Sequence, residues 1–328
     1  AAPSAGAART REEPAAPAVA RAALTAGAAG SSRVRAAPAD GAAAASRTAR
    51  ASARWHTARR DALPCGTLLG PHRISVVMPG LNVASTLERT VRAIPQGIVD
   101  EILFVDDGST DDSVEVARSL GCSVVSHSRN LGYGAAQKTG YREALAAGAD
   151  AVVMVHPDFQ YKPELVPAMA SMVVFGENDL VLGSRVLLRG AVAGGMPRWK
   201  WAVNRGLTHL ENALMNGALS EYHTGYRAFS RRALETLPLA DNRNDYVFDN
   251  ETIAQALWLE LRIGEISYPA RYFDGMKTIT LLPGITYGLG CLDTAGRYFL
   301  HRLGLPARML DPNGRTLDAW TEGVRVTR

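Results

Sequence analysis

Glu101-Ile-Leu-Phe-Val-Asp-Asp-Gly-Ser-Thr110 is a short apolar run that ends abruptly at carboxylates, and Ala151-Val-Val-Met-Val-His-Pro-Asp-Phe-Gln160 repeats the pattern further along the chain. Buried strands of a parallel sheet have such sequences, and open α/β sheets bind ligands at the carboxyl ends of their strands. The two stretches therefore predict parallel strands that deliver carboxylates to a ligand crevice. Carboxylates at that position suit a nucleotide and its metal ion.

From Ile74 onward the chain alternates apolar runs with amphipathic stretches, which is typical of a parallel sheet covered by helices. Ser85 and Glu88 form a capping-box pattern, which predicts that Ser85 is the N-cap of the first helix. We expect a three-layer α/β/α, Rossmann-like fold with a mostly parallel central sheet. Strands are predicted at residues 74–78, 101–105, 122–126, 151–155 and 179–183.

Residues 1–70 differ in composition from the rest of the chain and are rich in Ala, Arg, Pro, Ser and Gly. Ten arginines and four acidic residues give them a net charge of +6, which leaves −2 of the chain's +4 for residues 71–328. Few of their side chains are large and apolar, so burial cannot offset the entropy of a fixed backbone. They are predicted to form a disordered extension, with a transit peptide or a misassigned gene start as alternatives.

The basic character therefore belongs to the extension, and we expect no nucleic-acid partner. Cys65, Cys122 and Cys291 are widely spaced and form no CxxC pair, which predicts neither a disulfide framework nor a zinc site. A reducing compartment fits this usage, so we expect a cytoplasmic protein, peripheral at the cytoplasmic face of the membrane if it acts on lipid.

Together with Ser75-Val-Val-Met-Pro-Gly-Leu-Asn82, the two strand ends resemble the nucleotide-sugar-binding half of the family 2 glycosyltransferases of GT-A fold. The similarity is greatest to the branch around dolichyl-phosphate mannose synthase. It implies an inverting enzyme that moves a sugar from a nucleoside-diphosphate sugar to an acceptor, a polyprenyl phosphate in that branch. The implied organisation is a catalytic domain at 71–275, an amphipathic interfacial segment at 276–310 and a tail at 311–328.

The resemblance implies a set of nucleotide-binding residues at the first two strand ends. Pro79 and Asn82 keep two positions of the family pattern Pro-x-Tyr-Asn-Glu, whose Tyr and Glu are absent here. In the family the second carboxylate of the pair Asp106 and Asp107 accepts hydrogen bonds from the base or ribose, for which an acceptor-only group is suited. Residues 129–137 match the glycine-rich turn that leads into the third helix.

The family's metal motif Asp-x-Asp-x-Gln corresponds to His156, Asp158 and Gln160. Alternation along an extended segment would place these three side chains on one side, facing one ion. A divalent ion there neutralises the charge of the leaving diphosphate, and Asp158 is the residue that must hold it. The imidazole makes Mn²⁺ at least as suitable as Mg²⁺, although His156 could instead contact the sugar or phosphate.

The resemblance also implies residues for the diphosphate and the acceptor. Arg185 ends a Gly-Ser-Arg strand that meets the phosphates, and Arg227 lies in His223-Thr-Gly-Tyr-Arg-Ala-Phe229, which is similar to the branch's acceptor motif. If the acceptor is a hydroxyl, Glu221 or Asp249 is the predicted general base. If it is a phosphate, no base is needed. Two further basic residues are predicted to close over the diphosphate, namely Arg271 and Lys277.

Residues 278–304 combine large apolar side chains with a basic end at Arg297, His301 and Arg302. Such a segment could anchor the protein at a membrane surface or could pack on the protein's own core. Two other functions compete with sugar transfer. One is a sugar nucleotidyltransferase, although the loop after the first strand lacks the Arg and Lys that it requires. The other is a degenerate relative that only binds a nucleotide sugar or acts as a scaffold.

Overall fold

The computed structural model describes residues 69–187, 190–269, 281–321 and 324–325. Arg271 and Lys277 lie outside these ranges, as do residues 1–68 of the predicted extension. Leu69 is buried among core residues, so the packed part of the chain includes this residue.

The central sheet contains eight strands in the spatial order β7-β5-β6-β4-β1-β2-β3-β8. The strands β1–β2, β1–β4, β2–β3 and β5–β7 pair in parallel, whereas β6 is antiparallel to both β4 and β5, and β8 is antiparallel to β3. The predicted mostly parallel sheet is therefore confirmed. The strands are β1 (Ile74–Gly80), β2 (Glu101–Asp106), β3 (Ser123–His127), β4 (Ala151–Met154), β5 (Leu180–Ser184), β6 (Arg227–Ser230), β7 (Ile263–Ser267) and β8 (Val324–Arg325).

Helices cover both faces of the sheet. Alternate side chains of β1 point to opposite faces, so Val77 packs with Tyr141 and Phe248, whereas Val76 packs with Leu87 on the other side. This arrangement gives the predicted three layers. The helices are α1 (Ala84–Ala93), α2 (Ser113–Ser119), α3 (Tyr133–Ala146), α4 (Val166–Val174), α5 (Gly190–Ala193), α6 (Arg198–Met215), α7 (Arg231–Thr236), α8 (Phe248–Trp258) and α9 (Leu281–Arg302), with short 3₁₀ turns at Pro163–Leu165, Leu239–Asp241, Arg308–Leu310 and Leu317–Ala319.

The five predicted strands are all present, with bounds within two residues of those predicted. The sequence analysis missed β6, β8, α4 and α5, because none of these short segments shows a clear period. The capping box is wrong, since Val83 is the N-cap of α1 and makes no side-chain cap bond. The first N–H groups of α1 are instead satisfied by the loop after β2: the amide of Val83 donates to Ser113 Oγ at 2.8 Å and that of Ala84 donates to Asp111 Oδ2 at 3.2 Å.

The helix α9 has one buried face and one exposed apolar face. Its buried face packs against α6 and α8, and Gly290 allows this approach because a Cβ there would lie 2.5 Å from Val247 Cγ2. The residues on that face include Cys291, Ala295 and Tyr298. The opposite face leaves Ile285, Leu289 and Phe299 exposed, and Leu303, directly after the helix, is exposed as well. No helix within the described ranges is long and apolar enough to cross a membrane.

Residues 311–321, which the sequence analysis assigned to a tail, contact the core through Leu317 and Trp320, both of which are buried. The Nζ atom of Lys138 lies 4.3 Å from the centre of the Trp320 ring. Arg142 donates from Nη1 to the carbonyl oxygen of Trp320 at 2.5 Å. These two contacts therefore hold residues 311–321 against α3.

We expect Trp320→Ala to lower the free energy of unfolding by about 3 kcal/mol, because it removes a large buried ring and its contact with a buried ammonium group. Urea denaturation followed by circular dichroism measures this change. Phe175→Ala is the matched control, because Phe175 is 61% exposed and its loss should change stability by less than about 0.5 kcal/mol. Equal stabilities for the wild type and Trp320→Ala would show that this segment does not support the core.

Candidate active site

The carboxylate of Asp107, at the end of β2, fixes the glycine turn that opens α3. It is almost completely buried and accepts the backbone N–H groups of Leu131 and Gly132, each at 2.9 Å. Its Oδ1 atom also lies 2.7 Å from Nδ1 of His127. Gly132 has a φ of +104°, a conformation that glycine adopts without strain. The carboxylate predicted to bind the nucleotide is therefore already hydrogen-bonded by other groups of the protein.

The loops after β1 and β2 are joined by a second polar cluster. Asn82 Oδ1 accepts the N–H of Thr110 at 2.8 Å, and the Asn82 N–H donates to Ser109 Oγ at 2.9 Å. Asp106 Oδ1 accepts the N–H of Ser109 at 3.0 Å. These bonds hold the crevice edge in place. Contact of Asn82, Asp106, Asp107 and the buried strand residue Pro79 with a nucleotide stays a prediction.

The segment after β4 carries the predicted metal ligands in a turn. Phe159 has a φ of 60°, and its backbone therefore cannot continue an extended strand. The expectation that alternation along an extended segment aligns the three side chains is wrong for this reason. The turn nevertheless brings His156 Nδ1 to 3.9 Å from Asp158 Oδ2. Gln160 contacts Asp158 through its backbone N–H, which donates to Oδ1 at 3.0 Å.

Helix α1 contacts this turn and holds it in place. The hydroxyl of Thr90 donates to the carbonyl oxygen of Pro157 at 3.0 Å in a buried position. The guanidinium of Arg89 lies 4.0 Å from the centre of the Phe159 ring, within the range of a cation–π contact. The turn is consequently held by two contacts from one helix, and Asp158 stays partly exposed above it.

Tyr133 determines which nitrogen of His156 is available to a metal ion. Its hydroxyl donates to Asp249 Oδ2 at 2.9 Å and lies 2.7 Å from His156 Nε2. The hydroxyl has one proton, and an ionised carboxylate can only accept, so the phenol oxygen accepts a hydrogen bond from Nε2–H. This assigns the Nδ1 lone pair to the side that faces Asp158. An imidazole nitrogen and a carboxylate oxygen in this arrangement fit a divalent cation.

Burial lowers the pKa of His156, while the charges of Asp158 and Asp249 oppose this shift and those of Arg185 and Arg227 add to it. The imidazole is therefore neutral at neutral pH, which is the form that binds metal ions. His156 lies 3.9 Å from Asp158, Tyr133 joins it to Asp249, and Arg227 lies beside Asp249, so the structure brings these four predicted site residues together.

Gly225 allows the acceptor motif to approach this cluster closely. A Cβ at this position would lie 2.6 Å from the Tyr133 hydroxyl and 2.7 Å from His156 Nε2. Its N–H donates to the hydroxyl of Tyr161 at 3.0 Å. A side chain here would displace the bond between Tyr133 and His156, so glycine is required at this position of the motif.

Glu221, one of the two predicted bases, holds Arg185. It is completely buried, and its Oε1 accepts from Nε of Arg185 at 2.8 Å and from Nη2 of the same side chain. Its Oε2 accepts the Arg185 N–H at 2.8 Å, and Nη2 also reaches the His223 carbonyl oxygen at 2.6 Å. The geometry thus gives Glu221 the role of positioning the guanidinium.

Asp249, the other predicted base, is also engaged. Besides Tyr133, it accepts from Gln137 Nε2 at 3.0 Å, and its Oδ1 lies 3.7 Å from Nη1 of Arg227. Arg227 is completely buried and donates to the carbonyl oxygens of Thr224 at 2.9 Å and of Asp249 at 2.6 Å. Arg227 therefore ties the acceptor motif to the start of α8, and its contact with a ligand stays a prediction.

The sequence pattern of the family described as Glycosyl transferase family 2 matches residues 75–237. Residues 75–237 belong to this family. The match confirms the resemblance drawn from the motifs and makes the chain a glycosyltransferase rather than a nucleotidyltransferase. The GT-A fold is confirmed by similarity to a glucosyl-3-phosphoglycerate synthase from Mycobacterium tuberculosis, solved with Mn²⁺, UDP-glucose and phosphoglyceric acid. That chain is 27% identical, with a TM-score of 0.57 and coverage of 76% of this chain and 87% of the other.

Two curated relatives of this family 2 glycosyltransferase are archaeal. The UDP-N-acetylglucosamine–dolichyl-phosphate N-acetylglucosaminyltransferase of Methanococcus voltae is 26% identical over 218 residues, which cover 61% of this chain and 86% of the relative. The low-salt glycan biosynthesis hexosyltransferase Agl6 of Haloferax volcanii (strain DS2) is 28% identical over 255 residues, which cover 74% of this chain and 60% of the relative.

Three residues that position the site of this glycosyltransferase were not predicted from sequence: Thr90, Tyr133 and Gly225. The glycine-rich turn at 129–137 drew attention to the neighbourhood of Tyr133, but as a turn only. Nothing in a linear sequence pairs Tyr133 with His156 or Asp249. Gly225 lay within a recognised motif, where its small size was a usable signal of close approach.

Tyr133→Phe should weaken Mn²⁺ binding about 10- to 100-fold, because the variant loses the hydrogen bond that orients His156 and fixes its tautomer. Titration of free Mn²⁺ by electron paramagnetic resonance measures this without an activity assay. Tyr222→Phe is the matched control, because it removes another buried hydroxyl, one that donates to Asn212 Oδ1 at 2.9 Å. An unchanged Mn²⁺ affinity in a folded Tyr133→Phe protein would contradict the tautomer assignment.

Proposed function

We propose that this glycosyltransferase moves a sugar from a nucleoside-diphosphate sugar to a polyprenyl phosphate with inversion at the anomeric carbon. The name of the M. voltae relative includes both UDP-N-acetylglucosamine and dolichyl phosphate. The mycobacterial synthase was solved with a UDP-sugar and Mn²⁺. These similarities support the donor class and the use of a divalent ion, with Mn²⁺ at least as suitable as Mg²⁺ for a site that contains imidazole.

Asp158 and His156 are the residues that would hold the divalent ion. When bound, such an ion supplies charge neutralisation for the leaving diphosphate. Arg185 supplies a second positive charge, and Glu221 prevents its guanidinium from moving away. The neutral His156 adds no negative charge to the site, in contrast to an aspartate at the same position. Asp158 is therefore the acidic side chain whose loss should matter most.

The choice of acceptor rests on the burial and hydrogen bonding of the two predicted bases. Glu221 is buried and accepts hydrogen bonds from Arg185 and Asn204. Asp249 is also buried and accepts hydrogen bonds from Tyr133 and Gln137. Both oxygens of each carboxylate already accept hydrogen bonds from the protein, which leaves neither group well placed to take a proton from an acceptor hydroxyl. A phosphate monoester is already ionised at neutral pH and needs no base. An acceptor phosphate therefore fits this site better than an acceptor hydroxyl.

The reaction is then a single displacement. An oxygen of the acceptor phosphate forms a bond to the anomeric carbon as the bond from that carbon to the diphosphate breaks. The nucleoside diphosphate leaves with the electron pair of that bond, and no proton transfer is required. The enzyme's task is to orient the two reactants and stabilise the departing charge.

A lipid acceptor requires the crevice to meet a membrane surface, and two helices support this part of the proposal. Helices α6 and α9 pack against each other and expose apolar side chains, among them Trp199 and Trp201 on α6 and Leu289 on α9. Arg198 and Lys200 flank the tryptophans in the sequence. Tryptophans with adjacent cations are typical of segments that lie in the headgroup region of a bilayer.

Asp158→Ala should reduce the transfer rate by a factor of about 10² or more, because it removes the carboxylate that would hold the ion at the leaving group. Initial rates with a panel of nucleotide sugars, Mn²⁺ and dolichyl phosphate in detergent measure the loss. Asp150→Ala, which changes a carboxylate next to the opposite end of β4, is the control and should retain activity. Wild-type rates in a folded Asp158→Ala protein would remove Asp158 from the reaction.

The double variant Trp199→Ser/Leu289→Ser should bind anionic liposomes at least about tenfold more weakly than the wild type at low salt, because two apolar side chains no longer enter the bilayer. Cosedimentation measures this binding, and Phe175→Ser, exposed elsewhere, is the control. If the wild type does not bind liposomes and transfers sugar to 3-phosphoglycerate instead of dolichyl phosphate, the acceptor is a soluble phosphate.

A further inference from the structure

Glu211, His223 and Cys291 converge outside the proposed metal turn. One ligand atom from each lies within 4.8 Å of the others, and no other comparable group of three such residues occurs in the described ranges. The three residues come from α6, from the loop before β6 and from α9. Glu211 and Cys291 are fully buried, and the His223 side chain is 8% exposed. Burial of three such groups together requires a physical explanation.

Two of these ligand atoms lack a hydrogen-bond partner. Glu211 Oε1 accepts from Asn250 Nδ2 at 2.6 Å, but Oε2 and the Nε2 atom of His223 are buried without a hydrogen bond within the described structure. They face each other at 3.2 Å. Two ligands of a tetrahedral Zn²⁺ ion, each about 2.0–2.1 Å from the metal, lie roughly 3.3 Å apart. The separation observed therefore matches one edge of a zinc coordination shell.

We propose that Glu211, His223 and Cys291 bind a zinc ion. Sulfur, imidazole and carboxylate are the protein ligands of Zn²⁺, and a thiolate selects against the hard ions Mg²⁺ and Mn²⁺. The Tyr287 hydroxyl hydrogen-bonds to Cys291. Zinc binding forms the Zn–S bond and releases the thiol proton to solvent.

Asn204 lies between this cluster and the active site. Its carboxamide Nδ2 lies 3.3 Å from His223 Nδ1 and donates to Glu221 Oε1 at 3.3 Å. Asn204 therefore links His223 to the carboxylate that holds Arg185.

The proposed zinc ion would connect the active site to α9. The carbonyl oxygen of His223 accepts a bond from Arg185, so fixing the His223 side chain also fixes the loop that holds this guanidinium. Glu211 and Cys291 attach the same loop to the two helices proposed to face the membrane. The proposed zinc site would therefore have a structural role on the acceptor side and is distinct from the proposed metal site at Asp158.

Metal content tests the proposal. The full chain is produced with added zinc, dialysed against buffer with Mg²⁺ and examined by inductively coupled plasma mass spectrometry; we expect about one zinc per chain. Cys291→Ser and His223→Gln should each lower zinc affinity about 100-fold or more, since loss of outer-shell partners alone costs 10- to 100-fold. Cys122→Ser is the matched control, because Cys122 is also a buried free thiol, and it should keep its zinc.

Cobalt substitution gives a readout that needs no variant. Co²⁺ added to the zinc-stripped wild type should produce a thiolate-to-cobalt charge-transfer band, and Zn²⁺ should abolish it. A wild type that contains no zinc and shows no such band overturns the proposal and leaves a buried pair of Glu211 and His223. Retention of zinc by folded Cys291→Ser also overturns it. If a variant fails to fold by circular dichroism, the wild-type cobalt spectrum decides.

Discussion

The phenol of Tyr133 joins three parts of the chain that are far apart in sequence, and the geometry of the active site depends on this junction. It accepts a hydrogen bond from His156 at the end of β4 and donates one to Asp249 on α8. Because a hydroxyl has a single proton, the direction of both bonds is fixed by the carboxylate. Gly225 then brings the acceptor motif against the same pair of atoms, so an added methyl group there would disturb all three parts.

Arg227, which is fully buried, and Arg185, which is partly exposed, are both held by carboxylates in the described structure. Arg185 is enclosed by Glu221, and Arg227 bonds to backbone oxygens and lies near Asp249. Removing one partner of such a buried pair is strongly destabilising, typically by about 3–5 kcal/mol, because a charge is left without compensation. The carboxylates are therefore engaged by the guanidinium groups, which supports the proposed phosphate acceptor because such an acceptor needs no general base.

The sequence analysis left open whether residues 278–304 pack on the core or lie on a membrane surface. Helix α9 has one face buried in the core and one exposed apolar face. A helix exposes different residues on different faces, so Cys291, Ala295 and Tyr298 pack on α6 and α8 while Leu289 and Phe299 remain exposed. The apolar surface shared with α6 and the proposed zinc ligands lie on the same pair of helices. The proposed acceptor-side layer of α6 and α9 would thus be linked to the donor side through the loop at His223.

The sequence by itself determined the parallel strands at the centre of the sheet, their carboxyl ends and the family, because apolar runs that stop at carboxylates are local patterns and the motifs around Asp106, Asp158 and Arg227 are contiguous. It also indicated that His156 and Asp158 act together. Only the tertiary structure decided which groups satisfy one another: Tyr133 with His156, Glu221 with Arg185, and Ser113 with the start of α1. It likewise decided that Cys291, which no spacing rule connects to a metal site, lies beside a histidine and a glutamate. Such side-chain contacts depend on how elements that are far apart in the sequence pack together, and local sequence patterns do not reveal this packing.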